Sequence, residues 1–379
     1  MPIVASAAKS ITMIIPPDLE ERNMLAEWRK RRAEQRDLRH ATDLSNKASR
    51  LLKQGRAEDA VNALREVVRL RIEGLGNGHE TTALARVRLA NHLISVGRPQ
   101  EAEEQALAVL TSRPSADEIG LQACDAKLRA LSALGRHDEA AQEALAVLTA
   151  SARIYGEGHL RTLKVGSDRV QNLIFLGKFD RAEYECRAII TARAGQGMLW
   201  LAVNNALVLA LIGLDKYEEA EATARAALLQ ERRLAQPVGD MRLTLSLGLA
   251  RSLTAQGRDN DALKVVHDAK AKSLRTRGGR SSLPGAVGVV TARALLGLGR
   301  LEEAEVEVRE AVAVSDSTLS PTHHRTLEAA TLLGTVLAAQ GRRVEAEQQL
   351  TDCVAAWTTH FGPAHPRTVA ATAELAALP

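Results

Sequence analysis

The chain has 379 residues, of which 45% are hydrophobic, 25% charged and only 2% aromatic, with 50 basic residues against 46 acidic ones. This composition fits a globular chain or a repeat array, and so small a basic excess does not predict nucleic-acid binding. The three cysteines, Cys124, Cys186 and Cys353, are far apart, which excludes a disulfide framework or zinc finger and favours a reducing cytoplasm.

Residues 1–37 form an N-terminal extension outside the repeated part of the chain. Its apolar stretch Ile11–Ile15 is too short for a signal peptide or a membrane span. Asp18, followed by two glutamates, has the pattern of a helix start, so we predict a helix that runs toward the first repeat. The basic run 28–40 contains two acidic residues, and we interpret it as a solvated helix face rather than a nucleic-acid arm.

Residues 38–364 contain a phrase close to G-[RK]-x-x-[ED]-A that returns eight times at intervals of 42, 38, 42, 38, 42, 42 and 42 residues. It begins at Gly55, Gly97, Gly135, Gly177, Asp215, Gly257, Gly299 and Gly341. Five residues later the chain always has alanine: Ala60, Ala102, Ala140, Ala182, Ala220, Ala262, Ala304 and Ala346. Such a period predicts one structural unit stacked many times.

Each unit is predicted to be a pair of helices, A before the glycine and B after it. Apolar residues recur at three- and four-residue intervals before the glycine, as in an amphipathic helix. Glycine ends helix A because it adopts the left-handed conformation without a Cβ penalty, and Asp215 tolerates that conformation better than most residues. The alanine lies in the first turn of helix B, where a small side chain lets the two helices approach closely. A leucine four residues before the repeat start, such as Leu93 or Leu211, is predicted to lie in the core.

A second phrase, H-x-x-T, begins at His79, His159, His323 and His365. We interpret these histidines as capping positions before helix A rather than metal ligands. His323 and His365 are one repeat apart, about 10 Å in a helix stack, whereas zinc ligands lie about 2 Å from the ion. Only one helix fits after His365, so residues 365–379 are predicted to form a C-terminal capping helix.

These phrases resemble the tetratricopeptide-repeat (TPR) family, most closely the 42-residue variety of kinesin light chains and of many bacterial regulators. The resemblance covers roughly residues 38–379 and implies an all-α, right-handed α-solenoid of about eight helix pairs plus the capping helix. It also implies that helix A lines a concave groove that binds extended peptides or partner helices. The chain departs from the family in having mostly Leu or Ala at the aromatic positions. We expect the two 38-residue repeats to be shorter in the loop between pairs.

The candidate binding residues form a column six residues before each repeat start, polar in seven of eight repeats. Arginine there suits carboxylate or phosphate recognition, and asparagine or glutamine suits a peptide backbone. The predicted groove residues from this column are Asn91, Arg129, Gln171, Arg251 and Arg293. Asn204 and Asn205, one turn earlier in their helix, are predicted to belong to the same groove. The alternative is that this column simply faces solvent.

No phosphate-binding G-x-x-x-x-G-K-[ST], dinucleotide-binding G-x-G-x-x-G or metalloprotease H-E-x-x-H motif occurs, so we predict no enzyme, cofactor or metal site. The predicted function is a bacterial, cytoplasmic scaffold or regulatory adaptor that binds a protein or peptide, with no direct nucleic-acid or membrane contact. The terminal helices are candidate homodimer contacts. One alternative is a peptide- or small-ligand-sensing regulator of the quorum-sensing type, and another is an enzyme with its active site in the groove.

Overall fold

The computed structural model describes residues 35–52, 54–113, 117–192, 197–234, 241–276, 283–319 and 321–378. These residues form helices joined by turns, and no strand occurs among them. The first helix, α1, covers residues 35–52 of the described part. It is followed by α2 (Ala57–Leu75), α3 (Glu80–Ser95), α4 (Pro99–Ser112), α5 (Glu118–Ala133), α6 (His137–Tyr155), α7 (Leu160–Phe175), α8 (Phe179–Ala192), α9 (Met198–Gly213), α10 (Tyr217–Arg232), α11 (Met241–Ala255), α12 (Asp259–Thr276), α13 (Pro284–Gly297), α14 (Leu301–Thr318), α15 (His324–Ala339), α16 (Arg343–Phe361) and α17 (Pro366–Ala376).

The helices pair as the repeat predicts, with α1 and α2 as repeat 1 and α15 and α16 as repeat 8, so the fold is an all-α solenoid closed by α17. None of the described helices is both long and apolar enough to cross a membrane. The extension's predicted helix start at Asp18 and its apolar stretch Ile11–Ile15 lie outside the described residues.

The turn between helices A and B has the same geometry in every repeat. All eight phrase-initial residues have positive φ, from 58° at Asp215 to 77° at Gly135 and Gly341. The next residue then donates its N–H to the carbonyl of the core leucine, as from Arg98 to Leu93 at 2.9 Å. The predicted helix stop is therefore confirmed, and its carbonyls are satisfied inside the turn.

The contact between helices A and B is built on the two predicted columns. All eight phrase alanines have no exposed surface. The leucine column is also buried, with Leu51 the most exposed member at 6%. A methyl group at the alanine position therefore sets how closely the helices of a pair approach. Cys186 and Cys353 are also buried.

The two short repeats differ in helix B and not in the loop, so the expectation of a shorter loop was wrong. Helices α4 and α8 have 14 residues, whereas α2, α6 and α16 have 19. The helices α4 and α8 are therefore five residues shorter than those three, whereas α10, in a 42-residue repeat, has 16 residues.

The H-x-x-T phrase caps helix A, as predicted. Nδ1 of each histidine accepts a hydrogen bond from the backbone N–H two residues later, for example from Arg161 to His159 at 3.3 Å. The threonine hydroxyl donates to a carbonyl of the preceding turn, from Thr162 to Gly156 at 2.9 Å. These two bonds give partners to a backbone N–H in the first turn of helix A and to a backbone carbonyl before the helix.

The stack returns on itself, so that repeat 8 and α17 touch the A–B turns of repeats 3 and 4. His365 Nε2 lies 2.6 Å from the carbonyl oxygen of Phe175, 190 positions away in sequence. The Phe175 ring also stacks on His137 at a centroid distance of 4.5 Å and touches His324 at 4.3 Å. This closing contact consists of His137, Phe175 and Gly177 on one side and of His323, His324, Phe361, His365 and Pro366 on the other.

Candidate functional site

The inner surface of the solenoid is identified by a contact between two repeats that are not neighbours. Nη2 of Arg251 on α11 lies 3.6 Å from Oε1 of Glu328 on α15, although α13 lies between these two helices in the stack. Side chains from repeats 6 and 8 meet only if helix A faces the concave side. Residues spaced three or four apart on helix A share a face, so the predicted column belongs to this concave stripe.

An arginine cluster occupies the concave face at repeats 6–8. Glu328 pairs with Arg251 and, at 3.5 Å, with Arg367 of α17. Arg293 and Arg325 have no side-chain hydrogen bond or ion pair among the described residues. Both side chains keep accessible surface, although they lie deep in the concave face. The arginine cluster is defined as Arg251, Arg293, Arg325 and Arg367 with the carboxylates Glu328 and Glu374.

The electrostatics of the arginine cluster are dominated by uncompensated positive charge. Burial alone would raise the pKa of Glu328, but Arg367, Arg251 and Arg293 lower this pKa to about 2, so the carboxylate stays ionised. Burial and the neighbouring guanidinium groups lower the pKa of Arg293. Glu374 is already engaged by the hydroxyl of Thr335 at 2.5 Å. Four guanidinium groups thus share two carboxylates, which favours the binding of a further anion.

A serine–arginine network lines the same face at repeats 1–3. Arg88 donates to the hydroxyls of Ser45 and Ser49 at 2.8 and 2.5 Å. Arg129 donates to Asn91 Oδ1 at 2.8 Å. Both arginines therefore have partners on the neighbouring repeat, and the network is satisfied within the protein.

The middle of the predicted column changes from polar at repeat 4 to apolar at repeat 5. Gln171 is half-buried and is followed in the column by Leu209 on α9. Asn204 and Asn205, expected in the open groove, are instead buried, with 6% and 8% of their surfaces exposed. Asn204 donates to the carbonyl of Trp200 at 2.8 Å, and Asn205 faces Gly248 on α11. Asn204 is buried because its side chain turns back onto its own helix, and Asn205 is buried because the neighbouring helix α11 covers it.

Several charged residues of the site were not predicted, although they follow the same helical spacing. Glu328 is seven residues before Thr335, two turns earlier on the stripe. Arg88 is three residues before Asn91. Arg325 and Arg367 are the third residues of their H-x-x-T phrases. Extending the column by steps of three and four residues would have found them.

Other chemistry has little support in the described residues. No group of three His, Cys, Asp or Glu side chains in this part of the chain is arranged to hold a metal ion. Burial raises the pKa of the Cys124 thiol to about 11 and that of Cys186 to about 12, which leaves both thiols protonated and weakly nucleophilic.

Comparison with known proteins agrees with this architecture. Two family models, each described as a tetratricopeptide repeat, match residues 41–81 and 292–359. The chain is a tetratricopeptide-repeat protein. The matched segments include helix pairs from both ends of the TPR array, and the same turn geometry joins the pairs between them. No curated protein matches the sequence.

Solved structures share the TPR fold at low sequence identity. A tetratricopeptide repeat protein from Parabacteroides merdae is 15% identical, with a TM-score of 0.55, over 79% of this chain and 99% of that one. A Rap protein complexed with competence and sporulation factor is 11% identical, with a TM-score of 0.57, over 89% and 99% of the two chains. Kinesin light chain TPR-like repeats from Podosopora anserina are 21% identical, with a TM-score of 0.39, over 52% and 95%. The first two show a common fold.

Proposed function

We propose that this TPR protein is a scaffold or regulatory adaptor that binds an extended protein segment or peptide on its concave face, with the arginine cluster as the anchor. The observation that carries the proposal is the pair of arginines, Arg293 and Arg325, that keep accessible surface in the concave face and have no hydrogen bond or ion pair among the described residues. Guanidinium groups bind carboxylates in bidentate fashion, so the favoured partner segment is acidic.

We also propose a non-catalytic role, which the state of Glu328 in the site supports. A general base needs a pKa near the working pH, whereas the arginines hold the pKa of Glu328 at about 2. We therefore propose that the TPR array acts by binding. The cytoplasmic location, the bacterial source and a homodimer through the terminal helices stay predictions.

The test is a selection of peptides from a random displayed library, followed by calorimetry with the enriched peptides. We expect acidic peptides to be enriched. The double variant Arg251→Ala/Arg293→Ala should lose about tenfold to 100-fold in affinity, since hydrogen bonds to charged groups are worth about 1.5–3 kcal/mol. The matched control is Arg343→Ala, which removes an exposed arginine from the start of α16.

Two outcomes would contradict the proposal. One is the enrichment of peptides without acidic residues. The other is an equal affinity of the double variant and the Arg343→Ala control. Circular dichroism of both variants separates a loss of binding from a loss of fold.

The second candidate function is a peptide-sensing regulator of the quorum-sensing type. The specific observation in its favour is the closing contact, because a stack that returns on itself surrounds its concave face more closely than an open one. The Rap structure, solved with competence and sporulation factor, shares the fold alone. A saturable site for a free short peptide would favour the sensor, whereas binding only of the same segment within a folded partner would favour the adaptor.

A further inference from the structure

The closing contact gathers an unusual share of the ring side chains of this chain. The sequence has only three phenylalanines and ten histidines, and two of the former and four of the latter lie here. Trp357 extends the stack, with its ring 5.0 Å from Phe361 and 5.8 Å from His365. The repeat phrase does not require these residues, because sister repeats have other side chains at most of these positions.

The hydrogen bonds of His365 require a neutral imidazole. Nδ1 accepts from the N–H of Arg367 at 3.2 Å, as the cap of α17. Nε2 must then carry the proton that it donates to the carbonyl of Phe175. A second proton on Nδ1 would break the cap. His323 Nδ1 accepts from Arg325 in the same way, also at 3.2 Å.

His137 is also placed as a neutral ring. It is 3% exposed, one nitrogen lies 2.9 Å from Asn172 Oδ1, and Nε2 has no partner. Its ring lies against Phe175 and edge-on to His324. A charge on His137 would therefore be placed among rings and beside another histidine.

We propose that the closing contact is a reversible clasp that holds repeats 3–8 as a closed turn, and that protonation of its histidines opens that turn. The proposal concerns the shape of the array and stands whether or not the concave face binds a peptide. Its consequence for the TPR array is that the arginine cluster has a wider approach at acidic pH than at neutral pH.

The charges around the closing contact set the direction of the pH dependence. Burial lowers the pKa of His137, His323, His324 and His365, and that of His323 falls to about 4. Arg325 beside His323 and His324, and Arg367 beside His365, add to this effect. Opposing it, Glu328 favours protonation of His324, and the Phe175 carbonyl favours that of His365.

The sign follows from these depressed pKa values. A histidine that regains its ordinary pKa of about 6.5 on opening takes up a proton as the contact breaks. Opening is therefore favoured as the pH falls below about 6.5, by up to about tenfold per pH unit for each such histidine. Above that pH all four rings are neutral in both states, and closure is independent of pH.

A steric variant tests the closure without changing any charge. A Cβ at Gly177 would overlap the ring of Pro366, whereas a Cβ at Gly257 would meet nothing within 4 Å. The two glycines have nearly equal φ values, 68° and 71°. Asparagine tolerates this left-handed conformation at either site. Gly177→Asn and Gly257→Asn therefore impose the same backbone strain, and only Gly177→Asn overlaps Pro366.

Small-angle X-ray scattering at pH 7.5 should then give a larger radius of gyration and maximum dimension for Gly177→Asn than for Gly257→Asn and wild type. Circular dichroism should show equal helix content for the three proteins. Indistinguishable scattering curves for the two variants would overturn the closure.

The pH arm compares wild type with His137→Phe/His324→Leu, which introduces the residues of repeat 4, Phe179 and Leu160. Wild type should expand between pH 7.5 and pH 5 with its helix content unchanged, and the double variant should remain compact to a lower pH.

A third protein, His365→Asn, keeps a capping oxygen, but its side chain is too short to reach Phe175, so it should be open at pH 7.5. His159→Asn makes the same change at a cap outside the contact and should stay closed. A wild-type curve that does not change between pH 7.5 and 5, or equal pH responses of wild type and the double variant, would overturn the role of the histidines.

Discussion

Both ends of the concave face contain arginines, but the partners of these arginines differ between the two ends. In repeats 1–3, Arg88 and Arg129 are satisfied by Ser45, Ser49 and Asn91 of the neighbouring repeat. In repeats 6–8, two carboxylates serve four arginines, and Arg293 and Arg325 remain without partners in the described residues. The first arrangement joins repeats, whereas the second leaves binding capacity for a ligand.

The difference shows why a polar column alone does not identify a binding site. Arg129 and Arg293 occupy the same position of the repeat, and only the residue opposite decides between them. At Arg129 the preceding repeat offers Asn91. At Arg293 the preceding repeat offers Arg251, a like charge that accepts no hydrogen bond.

The largest expected effect concerns the packing of helices A and B, which the two regions share. Leucine in place of Ala102, Ala182 or Ala346 should destabilise the protein by about 1–3 kcal/mol, because each alanine is fully buried between helices A and B. Urea unfolding followed by circular dichroism measures the loss. Ala222→Leu, at an exposed site on α10, is the control. A neutral result at the buried sites would contradict the assigned packing.

The next effect separates the two regions. Arg88→Ala should lower stability by about 1 kcal/mol, because it removes hydrogen bonds to two hydroxyls of the preceding repeat. Arg293→Ala should leave the unfolding midpoint unchanged, since it removes no contact of this kind. Equal midpoint shifts for the two variants would abolish the distinction between a structural arginine and a binding one.

The smallest effect concerns the carboxylate inside the arginine cluster. Glu328→Gln removes a negative charge that competes with an acidic ligand for Arg251 and Arg367. The affinity for the selected acidic peptides should rise by about two- to fivefold, since partly exposed ion pairs are worth about 0.5–1 kcal/mol. Calorimetry at two salt concentrations measures the change, with Glu345→Gln on α16 as the control. Weaker binding by Glu328→Gln would show that the carboxylate positions the arginines for the ligand.

The fold could be predicted from the sequence because each repeat contains the residues that determine its own turn, helix packing and cap. The glycine–alanine phrase determines a left-handed turn at Gly97 and an interhelical contact at Ala102. The H-x-x-T phrase determines a helix cap at His79. These are local properties, and eight copies of the phrase make the period unmistakable. The assignment of Arg129, Arg251 and Arg293 to a concave groove came instead from the resemblance to the TPR family.

The rest depends on how small rotations between units add along the stack. Nothing in the repeat indicates that His365 meets Phe175, or that Arg251 reaches Glu328 across a whole repeat. Asn204 and Asn205 were misplaced because their exposure depends on the neighbouring helix α11 and not on α9 alone. Contacts between distant repeats therefore need the structure.

The 14-residue helices α4 and α8 bear on how such an array changes length in evolution. Removing a single residue from the interior of a helix turns everything beyond it by about 100°, which would carry part of the buried stripe toward water. Removing four restores the direction almost completely. The intervals of 38 and 42 residues differ by such a step. The second helices themselves have 14, 16, 18 or 19 residues, and all of these differences lie at the end of the helix, where no buried stripe lies beyond the change.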